Sequence, residues 1–522
     1  MIKNFFFNNI REKILISFLI LFSLLINQYY GNQGIFPADS FSHFDTGFRI
    51  LLDEHPFKDY WIVSGPLVDY LQAICFYLFG INWQSYVLHA SIINVLLSVL
   101  TFIVLKNLKL NIYYSFLYSL FFSVLAYPSS GTPFVDHHSS FFSLIGIYFL
   151  ILAISSEKNF YWVLCPIFLG FSFLSKQVPA FYVIISTILI ILFYSYTKKK
   201  YYWAKYFFLS TFFFILFILI FGKIQGILLS SFVEQYIFYP QTIGSDRFNE
   251  VGAKLISGIG NFKFIYIALL ILFYCNIKKI FYDEKYFKDK NFIYFLILVL
   301  FVFCLILHQT LTRNQIFIFF LVPVIIGFSH TSFYSNKKII SAVLILFCLF
   351  VTIKYHIRFN EERKFHELNY SNIQLSSNAK KIDKKFTGLK WITPEFKNNP
   401  EEEIKLINEV KKYLEDDQRK KMLMTNYSFY SVILNQRLYS PTRWHIFDGT
   451  DYPQKNSNYF ASYKNLLTNS IRQNNIKVIY TITPVINSNI YDYISKKCFQ
   501  EKKVNEILTS YEIINCKELN LN

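Results

Sequence analysis

Pro37-Ala38-Asp39-Ser40-Phe41-Ser42-His43-Phe44-Asp45 follows closely on the first long apolar run of the chain, residues 14–30. The pairing of a long apolar run with an acidic segment decides the fold. Residues 31–83 carry six acids (Asp39, Asp45, Asp53, Glu54, Asp59, Asp69) against Arg49 and Lys58, in a chain whose net charge is +18. Carboxylates beside a bilayer are costly unless they are paired or functional. The arrangement reads as a membrane span followed by an acidic outer loop at the water–lipid boundary.

The rest of the sequence extends that reading. Of the 522 residues, 53% are hydrophobic, 20% aromatic and only 16% charged, a balance that excludes an ordinary soluble protein. Apolar windows near the length that crosses a hydrocarbon core, about 20 residues, recur at 14–30, 84–105, 111–127, 139–154, 160–174, 178–196, 204–222, 262–277, 291–307, 315–331 and 338–355. The predicted fold class is therefore an α-helical polytopic membrane protein of about eleven transmembrane helices. The segment 65–80 is apolar but short and carries Asp69, which places it at the interface.

With the N-terminus inside, the inner segments hold seventeen Lys and Arg and the longer outer segments before residue 355 hold eight. That bias predicts an N-in topology. An odd number of spans then puts the C-terminal region outside. Lys354 and Arg358 at the last outer end run against the trend. The positive charge is thus mostly a topology signal, and no basic patch on a soluble face points to nucleic acid. The first span lacks a small-x-small site after its apolar core and is expected to be a retained signal anchor.

From about residue 355 charges, Asn and Ser rise. Residues 401–414 read as an amphipathic helix; 421–425 and 477–482 read as short buried strands, and 510–516 as a further one. The expected organisation is a transmembrane module, 1–355, containing the acidic outer loop 31–83, and a small extracytoplasmic α/β domain, 356–522. Cys498 and Cys516 fall in that domain and pair as a disulfide or stay free thiols; the spacing alone leaves both open. The other five cysteines lie in apolar segments and read as packing residues. No GxGxxG and no GxxxxGK[ST] loop is present, so no nucleotide site of those kinds is expected.

Each outer loop carries candidate chemistry. In the second, Asp136-His137-His138 follows Gly131 and Pro133. Asp136 either caps the next helix or joins a site. The adjacent imidazoles point about 100° apart on a helix, so both rarely face one ligand. Lys176 in the third loop either neutralises a phosphate or snorkels to lipid headgroups. Arg247 in the fourth either forms a two-pronged phosphate contact or pairs with Asp246 or Glu250. The fifth, His308-Gln309-Thr310-Leu311-Thr312-Arg313, suits anion capture or headgroup anchoring. Acids in the first two loops and cations in the next three are the division that a lipid-linked phosphate substrate requires: cations for the leaving group, a carboxylate for the attacking hydroxyl.

These residues resemble a known group. Ala38-Asp39-Ser40 with Asp45-Thr46-Gly47, His55-Pro56-Phe57-Lys58-Asp59-Tyr60-Trp61, Ser64-Gly65-Pro66-Leu67, Asp136 at the head of a span, and Ser175-Lys176 are similar to the GT-C superfamily of membrane glycosyltransferases. That superfamily includes the protein O-mannosyltransferases and the aminoarabinose transferases. The resemblance covers roughly residues 14–355. It implies a sugar donor carried on polyprenyl phosphate, an envelope glycan, lipid or protein acceptor, membrane lipid as surroundings, and a bacterial inner-membrane location with the active site outside. It makes Asp39 the catalytic base, with Asp45 the alternative because Ser40 replaces a second consecutive acid, and gives Asp136 the role of a second-loop acid. Inverting transfer then puts Lys176, Arg247, His308 and Arg313 on the donor phosphate and His43, His137, His138 and Gln309 on substrate hydroxyls. A divalent cation, Mg2+ or Mn2+, is left open, with Asp39, Asp136 and His137 its candidate ligands. The rival readings are a flippase or exporter of lipid-linked saccharides, for which internal repeats and broken helices are missing, and a non-catalytic envelope-assembly protein.

Overall fold

The computed structural model describes residues 10–247, 260–312, 317–332, 338–446, 449–483, 488–514, 516 and 519. A helix stands at each of the eleven expected span positions. Eight helices among the described residues have the length and apolarity to cross a membrane. Asn159–Ser175, Ile112–Leu125 and Leu321–Ser332 are shorter. The span expected at 139–154 starts earlier, as the helix Val135–Ser156. Asp136-His137-His138, expected in the loop before that span, are helical and buried, as are Ser139 and Ser140.

The chain forms two compact units, each made of three stretches: Met1–Asn32, Val87–Phe217 and Arg247–Phe365 in the first, and Gln33–Tyr86, Ile218–Asp246 and His366–Asn522 in the second.

In the first unit the hairpin Val135–Ser156 and Asn159–Ser175 is bound tightly. Ser143 and Ser172 share a 2.7 Å hydrogen bond, and the Ser172 hydroxyl also donates to the Ser139 carbonyl at 2.6 Å. A Cβ on Gly146 would sit 2.9 Å from the Leu169 side chain. Small residues and hydroxyls at such a contact let apolar helices approach where no water drives them together. Gly131, at φ +74°, lets the loop before Val135–Ser156 lie against Gly31: a Cβ there would be 2.4 Å from the Gly31 Cα. The buried Arg363 guanidinium donates to the Pro128 and Ser130 carbonyls at 2.9 and 3.2 Å, fixing the same loop.

The second unit contains the small sheet expected of the tail. Its four strands run in the order Lys421–Met424, Val478–Ile482, Leu508–Ile513, Phe499–Lys503. Lys421 pairs with Val478 in parallel; the other two pairings are antiparallel. The amphipathic helix is Pro400–Asp416, and a disulfide joins Cys498 to Cys516. The acidic segment 31–83, grouped by sequence with the membrane module, packs within this unit for residues 33–83. It is largely helical, as Pro37–Leu51 and Pro66–Phe79. Its backbone joins the tail through Ile35 N to Ile392 O at 3.1 Å and Trp61 N to Pro441 O at 2.9 Å. Phe41 packs on Phe386, Trp391 and Phe429. Burying aromatics of this size is the largest apolar term available to such a loop.

Candidate active site

Asp136 and Lys176 are brought together by arithmetic. The hairpin turns at Glu157, which takes a left-handed conformation (φ 56°). Asp136 lies about as far before that turn as Lys176 lies after it. At about 1.5 Å rise per residue the two antiparallel helices return to the same level. The Lys176 ammonium donates to both Asp136 carboxylate oxygens at 2.8 and 2.9 Å. His308, at the end of Lys290–Leu311, places Nε2 2.6 Å from Asp136 Oδ1. Asp136 and His308 are buried; the Lys176 side chain is 21% exposed. Three helix ends thus meet at one carboxylate. Phe134, not Asp136, is the helix N-cap, and no side chain caps that helix end. The capping role left open above is therefore not the one Asp136 plays.

Other candidates in the first unit surround this centre. The Gln309 carboxamide is buried, and both its oxygen and its nitrogen lack a hydrogen-bond partner among the described residues. The same holds for His308 Nδ1 and Arg247 Nε. Arg247 lies within electrostatic range of His308. Glu250, one of the acids expected to compete for Arg247, and Arg313 lie outside the described residues. The two adjacent imidazoles diverge as their helical rotation requires. His137 Nε2 meets Ser129 Oγ at 2.9 Å and its ring stacks on Phe317, whereas His138 Nε2 meets His89 Nε2 at 2.9 Å. His137 is therefore turned away from Asp136. With Lys176 and His308 already on Asp136, the donor set suits an anion-binding cation rather than a divalent metal. Among the described residues no three His, Cys, Asp or Glu side chains gather as metal ligands.

In the second unit the helix Pro37–Leu51 presents its acids differently. Asp39 sits in the first turn, where the helix dipole favours a carboxylate, and is partly exposed. The neighbouring Ala38 carbonyl accepts from the Trp444 indole at 2.8 Å. Asp45 is buried, accepts from the Ser431 hydroxyl and lies 3.8 Å from Arg49. Burial, partly offset by Arg49 and Ser431, pushes its carboxyl up to about 6. His43 is buried with Nδ1 2.7 Å from Asp69, and burial reinforced by the Arg443 charge pulls the ring down to about 4. Asp69 also accepts from Thr46 at 2.5 Å and from the Arg443 guanidinium, which in turn donates to the Ser64 carbonyl at 2.6 Å. Asp69, Arg443, Ser431 and Trp444 were not among the sequence candidates. Only the presence of Asp69 inside an apolar helix signalled that it needed a partner.

The fold and these acids define a multi-pass membrane protein with buried charge at its helix ends. Residues 55–221 match the family model of the dolichyl-phosphate-mannose-protein mannosyltransferases. The matched third of the chain is thus similar to a family of membrane glycosyltransferases. Among solved structures the chain is similar to ArnT from Cupriavidus metallidurans bound to undecaprenyl phosphate. The identity is 8% and the TM-score 0.46, over 97% of this chain and 98% of that one. No curated protein sequence matches the chain.

Proposed function

We propose that the protein transfers a sugar from a polyprenyl-phosphate carrier to an envelope glycan, lipid or protein, with inversion, on the extracytoplasmic face of a bacterial inner membrane. The observation that carries the reading is the Asp136–Lys176–His308 centre at three helix ends. Charge kept among apolar helices is costly and is retained where it handles an ionic substrate. Asp136 holds the Lys176 ammonium at one position, ready for a phosphate to share or take over. Lys176, with His308 and Arg247 and, on the sequence, Arg313, then stabilises the phosphate as it leaves. Gln309, buried with both amide atoms unused among the described residues, can bond a substrate hydroxyl or phosphate oxygen. Asp39 is the proposed base: it is the more exposed of the two candidate bases, whereas Asp45 is buried on Ser431. It takes the proton of the acceptor hydroxyl as that oxygen attacks the anomeric carbon. The polyprenyl phosphate departs with the electron pair of the broken bond. His43 and His138 serve as positioning residues, through Asp69 and His89. Deleting the gene should make a lipid-linked sugar accumulate in the membrane, detectable by mass spectrometry. An unchanged lipid-linked sugar profile would reject the reading.

A further inference from the structure

The second unit holds a cleft of about 330 Å3 that none of the steps above uses. That volume is at the lower end of ordinary ligand pockets, about 300–1,000 Å3. One wall is a single helical face. Ser462, Leu466, Asn469, Ser470 and Gln473 of the helix Phe460–Gln473 recur at the spacing that puts side chains on one side of an α-helix. The other walls come from residues 49–61 of the acidic loop, residues 226–235, and Arg437 and Tyr439.

Three features fix its chemistry. First, its charged side chains already have partners: Arg49 meets Glu54 at 2.6 Å, Arg437 lies 4.0 Å from the same carboxyl, Lys58 lies 4.0 Å from Asp59, Asp53 meets His55 at 3.0 Å and Glu234 accepts from Ser462 at 2.5 Å. With four acids against three cations, the cleft has no surplus cation to select phosphate. Secondly, two buried residues lining it keep polar atoms that have no hydrogen-bond partner among the described residues: Glu54 Oε1, an acceptor, and Trp61 Nε1, a donor. Buried polar atoms are rarely left unmet without a ligand or ordered water. Thirdly, the helical wall presents the exposed amides of Asn469 and Gln473, which offer a donor and an acceptor each. Paired carboxylates and guanidinium, carboxamides and an indole together match vicinal hydroxyl groups on an apolar ring.

We propose that this cleft binds a neutral oligosaccharide. The proposal rests on the glycosyltransferase reading only for the source of the saccharide, the glycan portion of the acceptor; the ligand class follows from the cleft itself. Arg49, which touches both Glu54 in the cleft and Asp45 behind it, ties the cleft to the acidic helix.

The test uses the full chain in a zwitterionic detergent without a sugar headgroup. Saturation-transfer NMR and calorimetry would be run with the tetrasaccharides of glucose, galactose and N-acetylglucosamine, and with inorganic phosphate as competitor. At least one tetrasaccharide should bind saturably and be undisturbed by phosphate. Asn469→Ala and Gln473→Ala, on an exposed face, should each weaken it about tenfold. Trp61→Phe, which keeps a ring and loses the N–H, should weaken it severalfold. No saturable binding by any of the three, binding unaffected by both amide variants, or displacement by phosphate overturns the proposal. Sugar transfer is measured on the same samples. Transfer without oligosaccharide binding removes the cleft and leaves the enzyme reading; binding without transfer does the reverse.

Discussion

Replacing Asp136 by Asn removes one charge from a buried centre and leaves Lys176 and His308 facing an amide. The loss can be sized from the geometry. The carboxylate is 1% exposed and takes two bonds from Lys176 and one close contact from His308. Breaking a buried pair by removing one partner costs about 3–5 kcal/mol. Lys176 is 21% exposed and can turn part of its ammonium to water, so about 3 kcal/mol, the lower end, is expected. Lys176→Met should cost less, about 2 kcal/mol, because His308 still faces the carboxylate. The double variant leaves neither charge of that pair stranded. It should be destabilised by less than the sum of the two, with a coupling of about 2–3 kcal/mol. Equilibrium unfolding in mixed micelles gives the four stabilities. Sugar transfer on the same four proteins should fall about a hundredfold in each single variant, an effect of about 2.7 kcal/mol on the barrier. It should not recover in the double variant, because the phosphate still needs the lysine. Additivity within about 0.5 kcal/mol would refute the idea that Asp136 and Lys176 act as a pair.

Asp45→Asn should leave transfer within a few-fold of the parent, since that carboxylate is buried on Ser431; loss of turnover would move the base from Asp39 to Asp45. The same variant should change the pH dependence of stability. The Asp45 carboxyl, raised to about 6 in the fold, binds protons the unfolded chain does not, so its contribution grows as pH falls from 6 toward 4. His43, lowered to about 4, contributes stability that is lost as pH falls from 6.5 toward 4. The two oppose each other in the parent; without Asp45, thermal unfolding should show stability falling more steeply below pH 6.5, and an unchanged profile would contradict this. Reducing the Cys498–Cys516 disulfide, 18 residues apart in sequence, should lower the tail's stability by about 3 kcal/mol, read by limited proteolysis with and without reductant. A reporter fused after Asn522 should be active only outside the cytoplasm; cytoplasmic activity would reverse the topology.

The spans were legible because long apolar runs leave little choice of structure in a bilayer. The tail strands at 421–425 and 477–482 were legible for a similar reason, being buried on both faces. The strand Phe499–Lys503 escaped notice because four of its five residues are exposed, at the sheet edge, and it reads as a charged loop. Asp136-His137-His138 reads as loop because polar residues are usually exposed, whereas these two imidazoles are buried and met by Ser129 and His89. Asp136, Lys176 and His308 were each visible as candidates. Their convergence was not, since His308 is 172 residues from Asp136. The Arg443–Asp69 pair, 374 residues apart, left no pattern in the sequence at all.

The most direct measurement is transfer by the purified protein from a synthetic polyprenyl-phosphate-linked sugar, with the parent and Asp39→Asn compared at matched folding. The parent should release polyprenyl phosphate and invert the anomeric centre, and Asp39→Asn should be slower by about a hundredfold or more, as loss of a general base requires. Undiminished turnover in Asp39→Asn, or no release of polyprenyl phosphate by the parent, would contradict the proposed chemistry.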